Sequence, residues 1–525
     1  VADARSNPLS DPSSENPERE DRGREGVAGG RSLVLLRFSG DITTKAPATR
    51  RRFLQRMRRN AREALNQLGI EHGITRTHNR IFVRVADENL RAAADALANV
   101  FGVQSLARVE EYPWSDLDDL VTTGVDLFSD FVRDRNFAVR ARRVGERRRI
   151  PVRSEDLQRK LGAALLPGAK GVSLSAPEVT ASIEVMAESA YFFRENTAGP
   201  GGLPLGCEGR AIALVSGGFD SAVAAWLIMK RGVALDYVFC NLGGRRHQLE
   251  TLEVVKILAD RWSHGTRPHF HAIDFDAVSR NIQARVTTRF WQIVLKRLMV
   301  RAAEAVATDR EAAAIVTGEA IGQVSSQTLQ NLAVISSGGT VPILRPLVGF
   351  NKDEIIEYSR RIGTHDLSAK VAEYCAIVPS KPATRASLAQ IEAEEARLDP
   401  AILERALAER SSFDLRTLDL ESLERPEIQI EEIPENAVVL DLRSKAAFQG
   451  WHHPDALFLD FPNALRSYRS MDPGRRYVLY CEFGLKSGHL AELMRREGMQ
   501  AWHFAGGLKA LVSYAKDQGI PTPDF

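Results

Sequence analysis

Residues Ala211–Arg231 read AIALVSGGFDSAVAAWLIMKR. Ala211–Val215 is an apolar run of strand length. Ser216-Gly217-Gly218-Phe219-Asp220-Ser221 interrupts it, and Ala222, Val223, Ala225, Trp226, Leu227 and Met229 continue as a helix. A strand, a glycine turn and a helix make a place to hold phosphate. Glycine has no Cβ, so the backbone at Gly217 and Gly218 can approach an anion closely. The first N–H groups of the helix lack intrahelical partners, and the helix dipole favours negative charge there. The hydroxyls of Ser216 and Ser221 add donors. A Walker loop is excluded, because no Gly-Lys-Ser/Thr follows at the required spacing.

Outward from this stretch, strand and helix patterns alternate. Strands are expected at Leu235–Cys240, His269–Phe275 and Ala314–Thr317, with helices at Gln248–Trp262 and Trp291–Thr308. Such alternation builds a doubly wound parallel sheet whose ligands sit at the carboxyl ends of the strands. Ser216–Ser221, Asn241-Leu242-Gly243-Gly244 and Gly318 all fall at that edge. The Gly/Pro-rich residues 197–206 read as a hinge into this unit, and Lys381–Glu424 as a charged helix followed by a linker. A further unit opens with a strand at Ala437–Leu442. Its strand Tyr477–Tyr480 delivers Cys481 into the loop Cys481-Glu482-Phe483-Gly484-Leu485-Lys486-Ser487, and a helix at Ser487–Gly498, a strand at Gln500–Phe504 and a helix at Leu508–Tyr514 follow. Loop N–H groups, a helix N-terminus and Lys486 favour a thiolate there, while Glu482 opposes it. A thiolate so cradled can carry an extra sulfur as a persulfide.

The N-terminal half reads as two smaller α/β units. The first has a strand at Leu33–Phe38, a helix at Ala48–Leu68 with Phe53, Met57, Ala61, Ala64 and Leu68 on one face, a strand at Ile81–Val85, a helix at Glu88–Ala98 and a strand at Val103–Val109. One further strand before Ile81, not placed by the pattern, would complete a ferredoxin-like order. Lys45–Arg62 holds eight basic residues and no acid. The second unit has a helix at Asp116–Phe131, a strand at Asn136–Arg143, a helix at Ser154–Ala164 and strands at Glu178–Met186 and Tyr191–Arg194. Its Arg133–Arg149 carries eight arginines against two acids. Two uncompensated basic segments predict a phosphate-backbone partner. Few aromatics interleave with them, which favours a folded, double-helical shape over stacked single strands.

At 525 residues the chain needs several cores, and its net charge of +2 conceals this local asymmetry. Residues 1–31, with seven acids and five arginines, have little to bury and are expected to be disordered. No charged-then-apolar leader opens the chain and no apolar run spans a bilayer, so a cytoplasmic location without membrane association is expected. The four cysteines, Cys207, Cys240, Cys375 and Cys481, form no CxxC pair, and no metal site is expected. Cys207 and Cys240 read as structural. Cys375 is open between a structural and a chemical role.

The SGGxDS form resembles the PP-loop of ATP pyrophosphatases. Taken with Gly40–Phe53 (GDITTKAPATRRRF), Phe137–Gly145 (FAVRARRVG), Asn241–Gly244, Thr317–Gln330 (TGEAIGQVSSQTLQ), Glu373–Arg385 (EYCAIVPSKPATR) and the Cys481 loop, the chain from about Leu33 onward resembles the tRNA 4-thiouridine synthetases in their long form. The resemblance implies an α/β multidomain fold. It places a tail at 1–31, a ferredoxin-like domain at 32–108, a THUMP RNA-binding domain at 109–196, a PP-loop (adenine nucleotide alpha-hydrolase-like) domain at 197–400, a linker at 401–430 and a rhodanese-like domain at 431–525. ATP contacts carry over to Leu214, Val215, Lys296, Gly318 and Gln327, beside the loop residues Ser216, Gly217, Gly218 and Ser221. Asp220 resembles an essential aspartate, Cys481 the persulfide carrier and Cys375 its transient disulfide partner, a Cys375–Cys481 pair. RNA contacts are expected at Lys45, Arg50, Arg51, Arg52, Arg140, Arg142 and Arg143. The Cys481 loop is poorer in arginine than those of free-standing rhodaneses, which argues against autonomous thiosulfate chemistry.

The implied activity is ATP- and Mg2+-dependent replacement of the uracil 4-oxygen of tRNA, at expected position 8, by sulfur. Sulfur would come from a cysteine desulfurase. A homodimer is compatible with the family. Two alternatives remain. One is sulfur relay to the thiazole sulfur-carrier protein of thiamine synthesis, which would need Cys481 but not the PP-loop. The other is a non-catalytic tRNA-binding scaffold, against which the intact SGGFDS and Cys481 argue.

Overall fold

The strand Arg210–Leu214 takes the centre of a six-stranded sheet in the computed structural model, which describes residues 31–77, 80–371, 381–423 and 428–523. Across the sheet the order is Ile343–Leu344, Ile315–Val316, Arg210–Leu214, Ala234–Asn241, His269–Asp274 and Ser411–Asp414. The first five are parallel and the last is antiparallel. Every residue of Ala234–Asn241 is buried, as a parallel strand covered by helices on both faces requires. The helices Phe219–Met229, Gly244–Trp262 and Lys352–Ile362 cover one face. Asp276–Arg285 and Trp291–Asp309 cover the other. The strand order reverses between Arg210–Leu214 and Ile315–Val316, so the crevice of this doubly wound sheet opens at their carboxyl ends.

The segment expected as a linker belongs largely to this unit. Helix Pro400–Ala408 buries Ala406 in the second core, Ser411–Asp414 adds the antiparallel edge strand, and Leu415 is fully buried. Its apolar residues are spaced too widely to read as one amphipathic helix, and only the exposed sheet edge makes them useful. The following unit begins inside the expected linker too, with Gln429–Ile430. Its parallel sheet runs Gln429–Ile430, Gln500–Phe504, Arg476–Tyr480, Val438–Asp441, Ala456–Phe458.

The two N-terminal units share one sheet. Strand Val103–Pro113 pairs with Arg31–Phe38 in its first half and with Ser189–Phe193 in its second, so the expected boundary at 108/109 falls inside a single strand. The unplaced strand is His72–Thr77, paired with Arg80–Ala86. Helix Pro47–Asn66 buries Phe53, Met57, Ala61 and Ala64 as expected, but Leu65 completes the face and Leu68, beyond the helix end, is exposed. Buried Glu184 of the second unit binds Arg80 (2.7 Å) and Arg37 (2.7 Å) of the first. Burial alone would raise its pKa, but the two guanidiniums outweigh burial and hold it below the ordinary carboxylate range. The expected tail at 1–31 lies outside the described residues except for Arg31.

The Gly/Pro-rich stretch expected as a hinge is instead buried from Pro200 to Leu205. A Cβ at Gly202 would strike the backbone oxygen of Lys230, and the Ser39 hydroxyl donates to Gly202 O at 2.6 Å. Glycine serves close approach here. Phe101 then carries the first unit into the central core, with its ring 5.6 Å from that of Trp226 and 5.7 Å from that of Trp262. Truncating so large a buried ring costs about 3–5 kcal/mol. Phe101→Ala is therefore expected to lower the urea midpoint of tryptophan fluorescence sharply; an unchanged midpoint would show that the two units are joined elsewhere.

Candidate functional site

The loop after the central strand is closed by its own side chain. Ser221 Oγ accepts from Ser216 N–H at 3.3 Å and donates to Gly218 O at 3.1 Å. The hydroxyl read as an anion donor thus braces the turn, while the first-turn N–H groups after Gly218, the helix N-cap, point to the crevice by helix geometry. Gly217 has φ +79°, and a Cβ there would press on Thr251 and Val371. Gly318, from the neighbouring strand end, needs to be glycine for a second reason. A Cβ would stand 2.7 Å from the Asp220 carbonyl carbon and 2.7 Å from Ser221 N. The two loops of the switch point therefore touch backbone to backbone.

Asp220 receives a hydrogen bond from Gln323 Nε2 at 2.8 Å and an ion pair from Lys352 Nζ at 3.0 Å. Lys296 pairs with the residue after Gly318, Nζ to Glu319 Oε1 at 2.8 Å; Arg345 holds the other oxygen at 2.8 Å. Burial would raise the Glu319 pKa, but these two cations outweigh it and keep the carboxylate charged. Leu214 is half-buried and Val215 buried, with its N–H on Val238 O. Gln327 is buried, and its side-chain oxygen has no partner among the described residues. A buried orphan acceptor fits a ligand donor such as an exocyclic amine.

The first turn of helix Gly244–Trp262 connects this loop to the Cys481 unit. His247 Nε2 lies 3.2 Å from Ser216 O. Arg245 N–H donates to Glu492 of the C-terminal unit, at 2.9 and 2.7 Å to its two oxygens. Gly244 has φ +76°, and a Cβ there would collide with the same carboxylate. Arg246 Nη1 reaches His503 Nε2 at 3.2 Å, and Arg496 faces Asp274 at 3.8 Å. The C-terminal unit therefore docks on the carboxyl edge of the central sheet, the edge that carries the glycine loop.

Cys481 is buried, with Sγ 3.4 Å from Ser487 Oγ. Its loop turns at Gly484 (φ +85°), and a Cβ at Gly507 would strike Glu482 O. The loop opens into a cleft of about 960 Å³ between the two units, walled by Arg246, Glu250, Lys370, Phe483, His503 and Lys509. Cys375, and with it the expected Cys375–Cys481 pair, lies outside the described residues. Burial raises both other thiols, Cys240 strongly and Cys207 to about 11, in keeping with structural roles.

Lys45, Arg51, Arg52, Arg140 and Arg142 are exposed, and Arg50 and Arg143 half-buried. Arg50 and Arg51 meet Val144–Glu146 in a groove of about 460 Å³ that also takes in Arg76, so the two basic segments form one surface. Sequence reasoning missed His247, Glu319, Arg345, Gln323, Lys352 and Glu492. Glu319 and Gln323 sit inside the quoted block Thr317–Gln330. The other four come from separate elements and leave no local signal.

The chain is similar to known proteins over most of its length. The chain matches three family models: "ThiI ferredoxin-like domain" over residues 33–107, "Thiamine biosynthesis protein (ThiI)" over 206–399 and "Rhodanese-like domain" over 426–514. It is 37% identical over 472 residues to a tRNA sulfurtransferase of Pyrobaculum aerophilum, covering 90% of this chain and 96% of that protein. To a tRNA sulfurtransferase of Marinobacter nauticus it is 35% identical over 474 residues, covering 89% and 97%. Among solved structures it resembles a 4-thiouridine synthetase–RNA complex with bound ATP, with a TM-score of 0.63 and 27% identity, over 73% of this chain and 99% of that one.

Burial lowers the pKa of His247 to about 4, of His489 to about 3 and of His503 to about 4, from 6.5. Well above pH 6.5 these rings are neutral in the folded and the unfolded chain alike. As pH falls through 6.5 toward 4, the unfolded chain takes up protons that the folded chain refuses, so stability present above that range is lost over that window. The apparent melting temperature is expected to fall between pH 7 and pH 5, with a smaller fall in His503→Gln. Equal pH slopes in the two proteins would refute the assignment.

Proposed function

The chain belongs to the ThiI family of tRNA sulfurtransferases, and on that premise we propose that it is an ATP-dependent enzyme that converts a tRNA uridine to 4-thiouridine. One observation carries the reading. Consecutive residues of one helical turn touch both chemistries, His247 at the glycine loop and Arg246 at the Cys481 unit. An activating site and a sulfur site that work on the same atom need this proximity.

The uracil 4-oxygen is a poor leaving group, so it must first be activated. In the proposed sequence it attacks the α-phosphorus of ATP, and pyrophosphate departs. The Ser216–Ser221 loop and the first-turn N–H groups hold the departing phosphates, and Leu214 and Val215 wall the base side. Lys296 is positioned by Glu319 and Gln327 offers its orphan acceptor. No group of three metal-ligating side chains occurs among the described residues. Magnesium ordinarily binds through one or two carboxylates plus the phosphates themselves. Asp220, on the first turn of the loop helix, fits as that carboxylate, and the ion would offset phosphate charge.

The sulfur step rests on Cys481. A cysteine desulfurase supplies a persulfide on its Sγ, and the terminal sulfur attacks C4 as AMP leaves. The Cys375 thiolate then attacks Cys481 Sγ, breaking the sulfur–sulfur bond and leaving sulfur on the base. A two-electron reductant reopens the resulting Cys375–Cys481 disulfide by exchange. The joined basic surface of Lys45, Arg50, Arg51, Arg52, Arg140, Arg142 and Arg143, on the ferredoxin-like and THUMP units, holds the tRNA by its backbone.

The test incubates unmodified tRNA with the protein, ATP, magnesium, cysteine and a desulfurase, followed by mass spectrometry of the nucleosides. 4-Thiouridine is expected with the wild type and at least about a hundredfold less with Cys481→Ser or Asp220→Ala, a loss of ~2.7 kcal/mol or more in transition-state terms. ATP consumption without 4-thiouridine would move the acceptor elsewhere, to the C-terminus of a small sulfur-carrier protein.

A further inference from the structure

The Cys481 loop is poor in positive charge for a loop that is to hold anionic sulfur. Its own residues offer one acid, Glu482, and one cation, Lys486, whose Nζ lies over the Phe461 ring at 5.9 Å. Arg443, nearby in the same unit, is committed. It grips buried Asp441 through two nitrogens, at 2.7 Å at the closest, and reaches Glu482 only at 3.9 Å. His503 is held neutral at ordinary pH, first by burial and then by Arg246. Lys509 and Lys370 stand in the cleft wall, and neither forms an ion pair among the described residues.

Arg246 comes from the other unit and is fixed from two sides. Glu250 Oε1 accepts from its Nε at 2.8 Å, and Nη1 lies 3.2 Å from His503 Nε2. Arginine has donors only, so His503 Nε2 accepts. The same Nη1 would lie 3.8 Å from a Cβ at Gly484, three residues after Cys481 and the N-cap of helix Leu485–Arg496. The guanidinium therefore stands near the turn at Gly484, in the cleft that Glu482 and Phe483 also line. Glu250, whose own pKa is raised by burial, neutralises part of its charge.

We propose that Arg246 of the ATP-loop unit completes the anion site of the Cys481 loop, so that sulfur on Cys481 is favoured as an anion while the two units are docked. This rests on the reading of Cys481 as the sulfur carrier. The arginine that this loop lacks in its own sequence is supplied across the domain interface. Arg246 acts through the field at the loop mouth and is a positioning residue. Its effect is confined to the docked arrangement that Arg245 and Glu492 maintain.

The experiment is the rate of Cys481 alkylation at one fixed neutral pH in the reduced full-length chain. Iodoacetamide is the probe, the Cys481 peptide is quantified by mass spectrometry, and neither tRNA nor ATP is present. Arg246→Gln is expected to slow alkylation by about three- to tenfold, and Arg246→Lys by less than about twofold. An unchanged rate in Arg246→Gln overturns the proposal. So does equal slowing in both variants, which would mark Arg246 as a strut between units. Melting temperatures of both variants verify folding. Because the alkylation assay needs no acceptor, it succeeds or fails independently of the 4-thiouridine assay. Should Cys481→Ser still form 4-thiouridine, the carrier reading falls and leaves the measured charge effect standing.

Discussion

A carboxylate seated on a helix N-terminus decides how the molecule is assembled. Glu492 accepts the Arg245 N–H at the start of the helix Gly244–Trp262, where unpaired backbone donors and the helix dipole both favour negative charge. Gly244 has to be glycine for the carboxylate to come so near. The contact brings the Cys481 unit to the carboxyl edge of the central sheet, the only edge at which a parallel sheet of this order leaves its loops free for ligands. Arg246 on His503 and Arg496 facing Asp274 reinforce it, and together these contacts hold the Cys481 unit at the edge that carries the glycine loop.

The central crevice is built by close approach. Gly318 against Asp220 and Ser221, and Gly217 against Thr251, leave no room for a side chain. The cations around the loop are almost all paired in advance, Lys296 and Arg345 with Glu319 and Lys352 with Asp220. Paired cations keep fixed positions in a partly buried crevice and avoid the desolvation penalty of an isolated charge. A polyanion entering the crevice meets positive groups already oriented, and Glu319 carries the compensating charge.

The N-terminal half is equally stiff. A strand shared by two units, a buried Glu184 between Arg80 and Arg37, and a glycine-rich connection that is buried where a hinge would be exposed all oppose bending. Phe101 locks that half to Trp226 and Trp262. A rigid basic surface at fixed distance from the crevice suits recognition of a folded polyanion by shape, because the distance between grip and chemistry is then set by the protein.

Much of this was legible in the chain alone. Hydrophobic alternation and glycine punctuation located the doubly wound sheet, its glycine loop and the strand that delivers Cys481, because those features are local: a few consecutive residues specify a strand, a turn and a helix start. Charge counting found both basic segments for the same reason. What the chain alone could not show depends on residues far apart in sequence. Ser411–Asp414 has four residues and too little pattern to announce a strand, and only the open edge beside His269–Asp274 makes it one. Residues 197–206 have the composition of a hinge, and burial of Pro200–Leu205 made them a strut. His247, Lys352 and Glu492 lack a motif because their partners lie 31, 132 and 247 residues away. Local order was determined by the sequence directly. The joining of the glycine loop and the Cys481 unit at one edge was decided by tertiary packing, because a carboxylate finds a helix N-terminus only when the folded chain brings them together.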